Sequence, residues 1–295
     1  TVKYSIFSFP VASTFTPNKG RAEELDQEEL GRFYKSFATF GGGNYGTLNA
    51  ELFATQDLNS EEYVAGMFRH LSSQGGIKGV DLENSFYDTS LDVTYGTEAK
   101  ELSWNINLGY QNQIYNWYGI PQDFTQTTID RINPKHTFNN FYVGTNLSLS
   151  DSFFKDASIK YNRFWDANGS VENRFFVKPS FEFGLLNKKI KTNFIVDYLG
   201  GNFEKNFFGT NSIKYGFTNF GIHPSIVVNK NDWALNIGAS VFYSADIENS
   251  SNKIFVYPQI NASLNLVGDF MIFYTGLEGS LDQNSYRDFT NENPF

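Results

Sequence analysis

The chain has 295 residues, with 31 Phe, 17 Tyr, no Cys and a formal net charge of −9. The absence of Cys excludes disulfides and thiolate metal sites. The acidic balance, with a pI near 4.9, argues against nucleic acid, whose binders carry a basic footprint. An aromatic content of 18% beside a mean hydropathy of −0.38 is at odds with a soluble globule, which spreads its apolar content over Leu, Val and Ala. It suits a transmembrane β-barrel, in which aromatic girdles and an apolar belt are offset by a polar lumen and polar loops. No run approaches the roughly 20 apolar residues of a membrane helix, so any spanning falls to strands.

Residues 1–31 stand apart and are expected to form an N-terminal extension, periplasmic or lumenal. Residues 4–11 read as a short strand interrupted by Pro10, residues 16–21 as a turn-rich link, and residues 22–30 (AEELDQEEL) as an acidic, solvated loop or single helical turn. The opening Thr1-Val2-Lys3-Tyr4 lacks the basic region and apolar core of a signal peptide, so a secreted barrel would be present here as a mature or truncated sequence.

Residues 32–295 read as consecutive barrel strands. Alternate side chains of a strand point to opposite faces, and the sequence sorts accordingly. Residues 102–115 (LSWNINLGYQNQIY) put Leu102, Trp104, Ile106, Leu108 and Tyr110 on one face and Asn105, Asn107, Gln111 and Gln113 on the other. Leu52 opposes Glu51, Leu91 and Val93 oppose Asp92, and Phe175, Val177, Phe181 and Phe183 oppose Lys178, Ser180 and Glu182. Phe194 and Val196 oppose Lys191 and Asp197, and Trp233, Leu235 and Ile237 oppose Asn236 and Gly238. Ile260 to Leu266 repeat the pattern, and Met271, Phe273 and Leu277 close the series. The expectation is that Leu102, Trp104, Ile106, Leu108, Phe194, Val196, Trp233, Leu235 and Ile237 face lipid. Glu51, Asp92, Asn105, Asn107, Gln111, Lys178, Glu182, Lys191 and Asp197 are then expected to face the lumen.

Connections of two kinds alternate. Those at 57–61, 96–100, 150–153, 186–189, 229–232 and 268–269 are tight. Those at 75–85, 116–136, 200–212 and 245–253 are long, and 166–173 is intermediate. Such sorting is expected when one rim is periplasmic and the other extracellular. Aromatic residues gather near strand ends, among them Tyr115, Phe138, Trp165, Phe207, Phe208 and Tyr257, as interfacial anchors do. Trp117 and Tyr118 are the loop-binding candidates, as a sugar-stacking platform. The final Asn291-Glu292-Asn293-Pro294-Phe295 is polar and carries Pro, which a paired strand tolerates poorly. It is expected to end in an extracellular loop, with the barrel incomplete at that end. About a dozen strands are counted, against 22 in large plugged transporters.

Gly41-Gly42-Gly43-Asn44-Tyr45-Gly46-Thr47 opens an amphipathic strand, and a tight turn, a second strand and a loop containing Gly79-Val80-Asp81 follow. This resembles the opening barrel hairpin of TonB-dependent receptors, over roughly residues 40–87. The resemblance implies an outer-membrane barrel of about 22 strands in Gram-negative bacteria and energised uptake of large nutrients such as siderophores, cobalamin or glycans. No plug domain and no TonB box is recognised before Gly41, which points to a plug-less or truncated relative and leaves TonB open as a partner.

Signals for chemistry are weak. Gly41-x-Gly43-x-x-Gly46 spells a dinucleotide fingerprint, but a period-two strand follows in place of the helix that the pyrophosphate needs. His70, His136 and His223 show no zinc spacing, and no Gly-x-Ser-x-Gly elbow occurs. His70 with Ser72 and Ser73, near Asp81 and Asp88, is the one group with the composition of a rim hydrolase. Asp81, Glu83 and Asp88 lack calcium-loop spacing. No catalytic, metal or cofactor residue is assigned, and the chain is expected not to be an enzyme. The expected function is binding or passage of a polar solute by a receptor-like barrel in the bacterial outer membrane, with lipid as its surroundings. The alternative is a non-transporting subunit of an assembly or secretion complex, with surface or periplasmic lipoproteins as partners. A barrel hydrolase is the third reading.

Overall fold

A computed structural model describes residues 34–294 apart from 122, 151, 186–187, 205–208, 210, 231 and 268–269. The expected strand at 4–11, the acidic segment 22–30, Phe207, Phe208 and Phe295 lie outside the described residues. The chain divides into Thr1–Tyr34 and Lys35–Phe295, and the second unit is described here.

It is all-β in its frame. Strands β1 (Ser36–Gly43), β2 (Thr47–Asp57), β3 (Glu62–Ser73), β4 (Phe86–Glu98), β5 (Leu102–Asn116), β6 (Lys135–Leu149) and β7 (Phe154–Asp166) run on into β8 (Val171–Leu185), β9 (Lys188–Phe203), β10 (Ile213–Lys230), β11 (Trp233–Asp246), β12 (Ser251–Val267) and β13 (Met271–Glu278). All thirteen form one sheet in sequence order, every pair antiparallel. Among the described residues β1 and β13 each have one strand neighbour. Two short helices, α1 (Gln126–Ile129) and α2 (Tyr286–Glu292), complete the unit.

The register carries the period-two pattern from strand to strand. Asp92 lies across from Gly109, Gly109 from Tyr142, and Tyr142 from Asn162. On the opposite face Val93 lies across from Leu108, Leu108 from Val143, and Val143 from Tyr161. One face is thus polar and the other apolar. Only Leu82, Ile129, Phe138, Phe164, Leu199 and Phe242 are buried apolar residues among those described, while Leu102, Ile106, Leu108, Phe194, Trp233 and Ile237 are all exposed. A water-soluble domain of this length builds a far larger apolar core. Among the described residues no second sheet covers Trp104 or Leu235.

Glycines on the polar face let aromatic rings lie flat across the neighbouring strand. Tyr63 faces Gly96, Tyr142 faces Gly109, Tyr215 faces Gly201 and Phe242 faces Gly221, and a Cβ at any of these glycines would overlap the ring opposite. The packing shields bare backbone and pins register, as in designed sheets.

Five sequence expectations need correction. Gly41–Gly43 ends an additional strand, β1, and Asn44–Gly46 makes the turn into β2, with Tyr45 at φ 61° and Gly46 at φ 61°. The connections expected to be long at 200–212 and 245–253, and intermediate at 166–173, shrink to residues 204–212, 247–250 and 167–170. Polar residues beyond the apolar stripe still have strand neighbours to pair with, so pairing outlasts the hydrophobic pattern. The rim that carries the longer connections retains 74–85 and 117–134. Finally, Asn291 and Glu292, expected in a loop, belong to α2, which folds back onto the polar face.

Replacing Gly109 by Val should displace Tyr142 and its 2.6 Å hydrogen bond to Asp92. A cost of about 1–3 kcal/mol is expected from overpacking, read as a lowered urea midpoint for refolding, with Gly184→Val, which meets nothing within 4 Å, as the control.

Candidate functional site

The polar face between β2 and β10 is the chemically organised part of the unit. Near the short-connection end it carries amide ladders. Thr94 donates to Asn107 (2.7 Å), Asn107 to Asn105 (2.9 Å), and Asn146 to Asn105 (3.2 Å). Midway, Arg69 pairs with Asp92 at 2.8 Å, and Gln111 and Gln113 both donate to Asp88. Further round, Arg174 grips Asp197 with two bonds of 2.9 and 2.7 Å, a bidentate geometry that fixes both side chains. Glu182 pairs with Lys189 at 2.9 Å and Lys191 approaches Asp156 at 3.9 Å. The structure therefore places Glu51, Asp92, Asn105, Asn107, Gln111, Lys178, Glu182, Lys191 and Asp197 on one face. Leu102, Trp104, Ile106, Leu108, Phe194, Val196, Trp233, Leu235 and Ile237 lie on the other.

Onto this polar face packs the segment after β13. Ser285 caps α2 by accepting from the Asp288 N–H at 3.0 Å, the role a short hydroxyl side chain plays at a helix start. Tyr286 then wedges among Phe138, Phe164 and Phe203, edge-on to each, with ring centroids 6.4, 5.2 and 4.6 Å away. Its hydroxyl donates to Asp166 (3.0 Å). Burial, reinforced by the Asp166 carboxylate, holds the phenol above its ordinary pKa, so it remains a neutral donor. Glu172, 2% exposed, is the hub. It accepts from the Tyr215 hydroxyl (2.7 Å), the Tyr286 N–H (2.7 Å) and the Arg287 N–H (3.3 Å). A carboxylate out of water needs such donors, because an unpaired buried charge is costly. Two of them are backbone groups at the start of α2, which otherwise lack partners.

Two cavities meet at Lys160 and Arg287. One, of about 130 Å³, lies beneath α2. The other, of about 510 Å³, reaches from Glu51 on β2 past Asp88 and Tyr142 to Lys160 on β7. Five strand spacings of about 4.8 Å separate β2 from β7, so one cavity lined by both requires a sheet curled toward its polar side.

The loop candidates take specific places. Trp117 stacks on His136, ring centroids 3.5 Å apart, and its indole N–H donates to the Pro294 carbonyl, holding the C-terminal segment. Tyr118 lines a separate 340 Å³ cavity with Tyr45, Phe86 and Tyr115. The hydrolase group is split by strand parity. His70 bridges Ser72 (3.0 Å) and Thr89 (2.7 Å) on the apolar side, whereas Asp88 is engaged by glutamines on the polar side. Ser72 is 3% exposed, and a neutral threonine stands where an activating carboxylate would be needed. No group of three or more metal-ligating side chains occurs among the described residues. Sequence reasoning missed Glu172, Arg174 and Tyr286. The Ser285-x-x-Asp288 spacing was the available signal, since a short hydroxyl residue followed by an acid three places on marks a helix start.

No protein-family model matches the chain, and no curated protein matches it. Among solved structures, one titled "Structure of the FpvAI-pyocin S2 complex" is similar, with a TM-score of 0.53 and 10% identity. The match covers 79% of this chain and 41% of that one, so the chain spans about two-fifths of the length of the neighbour it matches. At that identity the likeness is one of fold.

Replacing Glu172 by Ala leaves three donors without their acceptor. With charged hydrogen bonds worth about 1.5–3 kcal/mol each, amide exchange across residues 286–292 should accelerate about 100-fold or more, while exchange in β2–β4 stays unchanged.

Proposed function

We propose that the chain is a receptor-like β-barrel of the bacterial outer membrane that binds or passes a polar solute along its wet inner wall. One observation carries the reading: thirteen strands in register share one exposed apolar face and one hydrogen-bonded polar face. Only lipid or detergent solvates the first. On β5 the apolar stripe runs from Leu102 to Tyr110 and stops at Asn112. Eight rises of about 3.4 Å give roughly 27 Å, or about 21 Å at a barrel tilt of about 40°, near the ~25 Å apolar band of outer-membrane barrels. The stripe's upper limit is a row across four strands, His70, Thr89, Asn112 and Asn139, each opposite the next. The fold shared with the FpvAI–pyocin S2 structure and the opening hairpin's resemblance to TonB-dependent receptors support the receptor-like reading. TonB remains a partner to be tested, and the reading assigns no reaction and no cofactor.

A second reading, a non-transporting subunit of an outer-membrane assembly with lipoprotein or other protein partners, is favoured by α2, which occupies the polar face near the longer-looped rim. The neighbour's title describes a protein complex, in keeping with a protein partner at the outer surface.

Ile237→Arg on the apolar face should cost about 2–4 kcal/mol for folding into lipid vesicles, whereas Ser263→Arg on the polar face should cost less than about 1 kcal/mol. Equal penalties would overturn the lipid-facing assignment. In vesicles carrying the purified protein, efflux of a small sugar should exceed that of protein-free vesicles and rise when residues 279–295 are removed. Impermeability in both forms, with co-purifying lipoproteins, would favour the second reading.

A further inference from the structure

The charges around the larger cavity are sorted into two ends, and they are not neutralised by one another. At one end stand Lys160 of β7 and Arg287 of α2. Lys160 has no ion pair among the described residues and rests over the Tyr142 ring, 5.1 Å from its centroid. Among the described residues the Arg287 guanidinium pairs with its own neighbour Asp288, at 3.9 Å, and the buried Arg287 Nε has no partner. The carboxylates close by are already committed. Glu172 is held by three donors, Asp166 by Tyr286 and two backbone N–H groups, and Asp197 by Arg174. Asp288 is shared between Arg287 and Arg174, 3.6 Å away, so this one carboxylate does not offset Lys160 and Arg287 together, and their mutual repulsion is relieved by a carboxylate or similar group between them.

At the other end stand Glu51 and Asp88. Asp88 is approached by neutral glutamine amides, and Glu51 has no ion pair among the described residues, because its cross-strand neighbour Arg69 is taken by Asp92. A polyanion would meet repulsion at Glu51 and Asp88, and a polycation at Lys160 and Arg287. A solute with one charge of each sign satisfies both. The cavity's 510 Å³ lies within the range of small-ligand sites, about 300–1,000 Å³.

We propose that this cavity is a binding site for a zwitterionic solute of peptide type, its carboxylate between Lys160 and Arg287 and its ammonium toward Glu51 and Asp88. The proposal deepens the polar-solute reading above and rests on it. It also gives α2 a role, since Arg287 reaches the cavity only because α2 is docked.

The test is calorimetric titration of the full chain in detergent with the tripeptide Ala-Ala-Ala, its N-acetyl form and its C-terminal amide. The free tripeptide should bind at least tenfold more tightly than either blocked form. Arg287→Gln and Lys160→Gln should each remove the preference for a free carboxylate and keep that for a free ammonium, and Glu51→Gln should do the reverse. Amide exchange at residues 286–292 should be unchanged in Lys160→Gln, which separates loss of charge from loss of α2. Equal binding of the three peptides, or tighter binding of citrate than of the tripeptide, would overturn the site. Absence of peptide binding while sugar efflux from vesicles persists would overturn the site and leave the polar-solute reading standing. Peptide binding with no efflux would support the site and limit the reading to binding.

Discussion

The strands of this unit present an apolar face and a polar face in one register, and the rest of the structure follows from keeping the two apart. Because side chains alternate every residue, a one-place slip between neighbouring strands would turn a whole set of Asn, Asp and Lys toward the apolar side. The register is therefore held by devices on the polar face: rings laid over glycines, as Tyr142 over Gly109, and cross-strand bonds such as Arg69 to Asp92. Neither device needs a second layer of structure. Among the described residues all thirteen strands lie in one sheet, with no second sheet stacked on it.

The polar wall is not uniformly exposed. Near the short connections its amides are linked side by side and partly exposed. Toward the longer-looped rim it becomes dry enough to bury Phe164, Leu199 and Glu172. The difference is made by α2. Tyr286 fills the space between Phe138, Phe164 and Phe203, and the helix start supplies the N–H groups that Glu172 requires. A carboxylate without those donors would not be stable at 2% exposure, and a seven-residue helix without the wall would not persist in water. Each makes the other possible. The same docking brings Arg287 beside Lys160 and leaves two positive charges facing an open volume.

The apolar wall ends where hydrogen bonding starts. His70, Thr89, Asn112 and Asn139 form a transverse row in which His70 bonds Thr89 and Asn112 bonds Asn139. Tyr110, just inside that row, turns its hydroxyl to Asn139. This is the arrangement of an amphipathic ring placed at a boundary, its body in the apolar zone and its oxygen outside it. The contact between His70 and Ser72 belongs to this boundary and is explained by it.

Much of this was legible in the chain. Residues 102–115 alone state the period, the length and the two faces, and the same signature repeats in residues 192–198 and 233–241. Strand existence and facing depend on local alternation, which a linear reading sees directly. Strand ends do not: β8, β9 and β12 continue past their apolar stripes because a neighbour was available to pair with, a fact outside any one segment. Nor does the sequence disclose that Lys160 and Arg287, 127 positions apart, share a cavity, or that Asp88 and His70 lie on opposite sides. Residues 279–294 are polar, short and marked only by the Ser285 cap, so by themselves they read as a loop. Their helix exists because the wall supplies Glu172 and a ring-lined cleft, and that is a contribution of tertiary contact, where burial and saturated hydrogen bonds outweigh weak local preference.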